Sequence, residues 1–243
     1  MNVLFISDEA ENMENAVYLY GGLTESLCGL PCNIKAYKQT DRNVIEVSSD
    51  DCFWRIVKEE AADKIADVIA VNYKYDFFRS LCKPYGLTDT ENRILLAAVV
   101  SADIDDDREY IKQCISKEDE FPVDGLFNFR LKALKSKWRD ISLYLPKTFD
   151  AERLKDFIAF ILEEKKNKRV FVKNGNVYDC HYKKLNRAFL SGEDAGDEKL
   201  LTEILLSGAG EAELLSPVRA EEEEFLTEYY GNKIIFSDGC FKS

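Results

Sequence analysis

A chain of 243 residues, 46% of them hydrophobic, has enough apolar material for one large domain or two small ones, which excludes a largely disordered protein. Against 33 lysines and arginines stand 45 aspartates and glutamates, a formal charge of -12 that repels nucleic acid and anionic membrane except where cations cluster. The two such clusters, Lys132 to Arg139 and Lys165 to Arg169, read as solvated surface, so no nucleic-acid partner is expected.

The amino terminus shows no basic n-region, and the longest apolar run, Ile94 to Val100, is far short of the ~20 residues of a membrane span. A cytoplasmic protein without a membrane span is the expectation. Seven cysteines at irregular spacings agree with reduced thiols rather than a disulfide framework.

Asn2 to Ile6 reads as a first buried strand, and Asp8-Glu9 as the acidic, dipole-favoured start of a helix running to about Cys28, stopped by Gly29 and Pro31. Asn33 to Tyr37 and Val44 to Val47 alternate apolar and polar residues on either side of Thr40-Asp41-Arg42-Asn43, as hairpin strands do. A long helix is expected from Ser49 or Asp50.

Thr88 with Glu91 three residues later predicts a capping box, followed by a buried central helix through Ile94 to Val100. Asp103, Asp105 and Asp107 alternate as in a calcium loop, but Arg108 and Cys114 stand where that loop needs glycine and glutamate, so a solvated, kinked helix is expected instead. Val123, Phe127, Leu131, Leu134, Trp138, Ile141 and Leu145 then form a heptad-like seam, read as intramolecular packing on one helix ended by Pro146. A further helix from Asp150 places Leu154, Phe157, Ile158, Ile161 and Leu162 on its buried face.

Val170 to Lys173 and Val177 to Tyr182 flank Asn174-Gly175, the strongest short hairpin signal. A polar loop at Gly192 to Gly196 leads to a helix over Glu198 to Leu206, stopped by Gly208-Ala209-Gly210. The strand Ala212 to Leu215, the acidic helix Ala220 to Tyr230 and the strand Lys233 to Phe236 make a βαβ step. The expected class is α+β, built from an N-terminal strand-helix-hairpin unit over 1–86, a helical region over 87–165 and a C-terminal α/β subdomain, hairpin plus βαβ, over 166–243.

Chemistry-bearing residues are sparse. Cys28, Cys32, the single histidine His181 and Cys240 could complete a tetrahedral zinc site, though their spacing is not that of a zinc knuckle, and neither metal nor cofactor is expected. Cys180 beside His181 suggests a thiol–imidazole pair, but neighbours in a strand point to opposite faces. Cys52, Cys82 and Cys114 fall inside helical patterns and read as small core residues. Asp238 and Cys240 follow the last strand, where α/β sites collect, and Asp-Gly also makes an ordinary turn there. Glu221, Glu222, Glu223 and Glu224 open the acidic helix and offer a docking surface for a basic partner.

Phe127-Asn128-Phe129-Arg130-Leu131, the helix through Phe157 to Leu162, the Asn174-Gly175 hairpin, the passage from Leu200 to Pro217 and the terminal Gly239-Cys240 together resemble the YtxC-like family of sporulation proteins, through their order and spacing. The resemblance covers about Leu126 to Cys240. It implies a bacterial, endospore-forming source and a sporulation-linked cytoplasmic protein, and it assigns no substrate, cofactor or catalytic residue. The expected activity is protein–protein contact without catalysis; the alternative is a metal- or thiol-dependent enzyme using His181, Asp238 and Cys240.

Overall fold

The computed structural model describes residues 2–82, 84–115, 120–165, 168–192 and 196–237. In chain order the elements are β1 (Asn2–Glu9), α1 (Met13–Ser26), β2 (Cys32–Gln39), β3 (Arg42–Ser49), α2 (Trp54–Asp67), a π-helical segment Val68–Tyr73, α3 (Lys74–Leu81), α4 (Asp89–Ser101) and α5 (Ile104–Ile115). There follow β4 (Glu120–Pro122), α6 (Val123–Gly125), a second π-helical segment Leu126–Arg130, α7 (Lys132–Tyr144), α8 (Ala151–Glu164), β5 (Arg169–Lys173) and β6 (Asn176–Tyr178). The chain ends with α9 (Lys199–Leu206), β7 (Glu211–Leu214), α10 (Ala220–Tyr230) and β8 (Ile234–Phe236). This is an α+β protein with two mixed sheets, and no helix among the described residues is long and apolar enough to cross a membrane. The chain divides into two compact units, one of 1–74 with 105–143 and one of 75–104 with 144–243. The helices anticipated as a single region over 87–165 are shared between them.

In the first unit the sheet runs in the order β2-β3-β1-β4, with β1 antiparallel to β3 and parallel to β4. The register sets Leu4 opposite Val47 and Ile6 opposite Ile45, so one sheet face is apolar and receives Leu19 and Leu23 of α1. Strand pairing extends beyond the expected ends at both termini of the hairpin. Ser48 and Ser49 remain in β3, paired with Val3 and Asn2, so α2 begins only at Trp54. Asp8 and Glu9 likewise belong to β1, opposite Asn43 and Arg42, rather than to a helix start.

The seam from Val123 to Leu145 is buried as expected at Val123, Leu131, Leu134 and Trp138, but it is not one helix. The turn 126–130 is π-helical, its last bond running from the Leu131 N–H to the Leu126 carbonyl, and α7 restarts at Lys132. Widening that turn carries Phe127 between Tyr73 and Trp138, with ring centroids 4.7 Å and 5.8 Å away.

In the second unit α4 opens with the anticipated capping box, Thr88 Oγ1 accepting from the Glu91 N–H while Glu91 accepts from that of Thr88. Ile94 to Ser101 are all buried, packed against α8 and α9. Asp150 caps α8 through the Arg153 N–H, and Leu154, Ile158, Ile161 and Leu162 are buried. Phe157 is only half-buried, edge-on to Phe149 at 6.2 Å, so its truncation costs less than the roughly 3–5 kcal/mol of a fully buried phenylalanine. The second sheet has the order β6-β5-β7-β8; β5 and β6 form the hairpin, and β7 is parallel to both β5 and β8. Asn174 and Gly175 take positive φ values of 52° and 70°, the geometry that matches a two-residue turn to twisted strands. The return strand stops at Tyr178 rather than Tyr182, because the backbone turns over at Asp179.

Candidate functional site

His181 and Cys180 lie in that turn instead of a strand, and both side chains are exposed. Asp179 Oδ1 accepts from the backbone N–H of His181 at 2.8 Å and of Lys183 at 2.9 Å, and Tyr182, at φ 58°, stacks on Phe171 with 5.2 Å between centroids. The residues around His181 build a turn. Cys28 is exposed after α1, and Cys32 opens β2 half-buried, its thiol pushed up by burial and therefore held protonated. Cys28 and Cys32 belong to the first unit and His181 to the second. Among the described residues no group of three or more His, Cys, Asp or Glu is placed to hold a metal ion. Asp238 and Cys240 lie outside the described residues. Of the three cysteines expected in helical cores, Cys52 is exposed ahead of α2, while Cys82 and Cys114 are half-buried.

The acidic helix α10 matches its predicted bounds, but the four glutamates of its first turns divide. Glu222 is buried and reaches back, accepting from the Arg219 N–H at 3.1 Å and from the Arg219 guanidinium at 3.0 Å. Arg219 also pairs with Asp197 at 3.3 Å. Glu221, Glu223 and Glu224 stay exposed; Glu223 and Glu224 have no ion pair among the described residues, and Glu221 has only the longer-range attraction of Arg219. Glu228, farther along α10, pairs with Lys155 of α8 at 2.8 Å.

Two buried polar clusters of the first unit escape sequence reasoning. At the carboxyl end of β1, Asp8 is 2% exposed. Its Oδ1 accepts from the Tyr73 hydroxyl at 2.8 Å, the Asn12 amide at 3.2 Å and the Glu9 N–H at 2.9 Å, and its Oδ2 accepts from the Asn15 amide at 2.8 Å. The Asn15 amide also donates to Asn72 at 3.1 Å, while its own Oδ1 is a buried acceptor without a partner among the described residues. Burial, then the negative charge of Asp8, pushes the Tyr73 hydroxyl far above its ordinary range, so Tyr73 stays a neutral donor. A carboxylate holding four donors is a brace rather than a base. The available sequence signal was only the nearness of Asp8, Asn12 and Asn15 around the turn from β1 to α1.

The second cluster corrects the solvated reading of the aspartate run. Asp107 is 1% exposed; its Oδ2 accepts from Lys74 Nζ at 2.7 Å and Trp138 Nε1 at 2.8 Å, and its Oδ1 accepts from Lys137 Nζ at 2.7 Å. Lys74 is fully buried and its ammonium lies 5.8 Å from the Trp138 ring centroid, so it is neither exposed nor free to act as a nucleophile. In the second unit a cleft of about 400 Å³ opens between α3 and the start of α4. No protein-family model, no curated protein and no solved structure matches this chain.

Proposed function

We propose that this protein acts by protein contact, with the first turns of α10 as the surface that meets a basic partner. The supporting observation is the division of the four glutamates: Glu222 is spent inward on Arg219, whereas Glu221, Glu223 and Glu224 project from a helix start already anchored by that bond. A rigid base beneath three exposed carboxylates reduces the entropy lost on docking and raises the on-rate of a cationic partner. The net charge of -12 works in the same direction. The cellular context, sporulation in a bacterial cytoplasm, rests on the sequence resemblance alone.

Gene deletion in the host, followed by counts of heat-resistant spores, tests both parts. Loss of spores, restored by the wild-type chain and not by the folded E221K/E223K/E224K variant, is the expected result. Normal spore yields after deletion would remove the sporulation context, and full restoration by the triple variant would remove α10 as the surface.

A further inference from the structure

The cleft between α3 and α4 has the composition of a small-ligand site. Its volume of about 400 Å³ falls within the roughly 300–1,000 Å³ usual for such sites. Tyr75, Arg79 and Cys82 follow one another at steps of four and three along and just beyond α3, which aims them at the same side. Tyr75, Leu95 and Leu96 are buried and make an apolar floor, and the charged lining residues are Arg79, Arg93 and Asp89.

Those three charges are not equivalent. Arg93 is committed, its Nε bonding Glu198 at 2.6 Å and its Nη2 bonding Thr90 at 3.2 Å. Among the described residues Arg79 spends only Nη2, on Asp76 at 2.6 Å, and its guanidinium carbon lies 5.9 Å from the centre of the Tyr75 ring. Asp89, at the first position of α4, has no ion pair among the described residues. Among the described residues the rim therefore carries a cation with donors to spare and an anion without an ion pair, not joined to each other, above an apolar floor.

We infer that this cleft binds a small zwitterion with an apolar body, a free hydrophobic α-amino acid, its carboxylate on Arg79, its ammonium on Asp89 and its side chain against Tyr75, Leu95 and Leu96. A simple anion gains Arg79 but meets Asp89 with like charge, and a simple amine has the reverse conflict. Only the zwitterion satisfies both. The half-buried Cys82 thiol, pushed up in pKa by burial, sits in the wall as a reporter of occupancy.

The test uses the full chain and L-phenylalanine, with phenylpropionate lacking the ammonium and phenethylamine lacking the carboxylate. Isothermal titration gives affinities, and peptide mass spectrometry follows iodoacetamide alkylation of Cys82 against that of the exposed Cys28. The expected result is saturable binding of L-phenylalanine at least about tenfold tighter than either analogue, with Cys82 protected and Cys28 not. R79Q should abolish the preference over phenethylamine, and D89N the preference over phenylpropionate, each with an unchanged melting temperature. Absence of saturable binding, equal binding of the three compounds, or unaltered preferences in the two folded variants overturns the assignment.

Discussion

The two units satisfy most of their buried carboxylates in different ways. In the first, buried carboxylates chiefly meet other side chains: Asp8 gathers Tyr73, Asn12 and Asn15, Asp107 gathers Lys74, Lys137 and Trp138, and Asp67 takes the Tyr18 hydroxyl at 2.8 Å and Arg108 at 2.7 Å. In the second, buried Glu198 also meets a side chain, that of Arg93, but Glu203 and Glu222 meet backbone. Glu203 accepts from the N–H groups of Arg187 at 2.8 Å and Ala188 at 2.6 Å, and Glu222 accepts from that of Arg219. The first arrangement ties together segments tens of residues apart; the second satisfies donors that a chain reversal or helix start leaves orphaned. Removing Asp107 therefore strands a cation and removing Glu203 strands amides, and the penalties should differ.

Asp107→Ala should have the largest effect, about 3–5 kcal/mol in urea unfolding, because it leaves the Lys74 ammonium buried without its counter-charge. Adding Lys74→Met should recover part of that loss, and a double variant no more stable than the single one would contradict the ion-pair account. Glu203→Ala should cost less, about 2–3 kcal/mol, since it orphans neutral amides. A loss equal to that of Asp107→Ala would erase the contrast.

High pH offers a different probe. A tyrosine whose folded-state pKa is raised keeps its proton when the unfolded chain has begun to lose it, so its stabilisation is complete below the unfolded value near 10 and declines as pH rises toward the folded one. Tyr229, pushed up to about 12 chiefly by burial, contributes over about pH 10 to 12 in the second unit, where burial raises Tyr230 further still. Tyr73 is raised further, by burial and Asp8, and acts in the first. Tyr73→Phe should cost about 1 kcal/mol at neutral pH through the lost hydrogen bond, while flattening the fall in stability above pH 10. An unchanged alkaline slope would deny the tyrosine its role. Asp150→Ala should cost a similar amount, about 1 kcal/mol for one N-cap, read by thermal melting.

The same division explains what the sequence could disclose. Thr88 with Glu91, Asp150, Asn174-Gly175 and the bounds of α10 depend on residues a few positions apart, and each stands where pattern and propensity place it. Asp107 depends on Lys74, 33 residues earlier, and on Trp138, 31 later, and no local rule separates it from the exposed Asp106 beside it. Helix periodicity alone also hides the π turn at Leu126–Arg130, since the apolar seam keeps its spacing while the backbone changes its winding. The acidic start of α10 was legible as composition; that Glu222 turns inward required the Arg219 side chain to be placed. Cys82 read as a core thiol because the cleft beside it is made by two helices rather than by one segment.

The interleaving of the two units constrains how the protein can be made. The polypeptide leaves the first unit after Lys74, re-enters it after Ile104 and leaves again after Leu143. During translation from the amino terminus, β1 is made early, yet its parallel neighbour β4 arrives more than a hundred residues later, and Lys74 waits for Asp107 before its charge can be matched. Helix α4, almost wholly apolar over Ile94 to Val100, emerges while its partner α9 is still about a hundred residues from synthesis. A nascent chain arrested between Ile104 and Glu120 thus exposes a sticky helix and an unfinished sheet at once, the kind of surface that recruits chaperones on the ribosome.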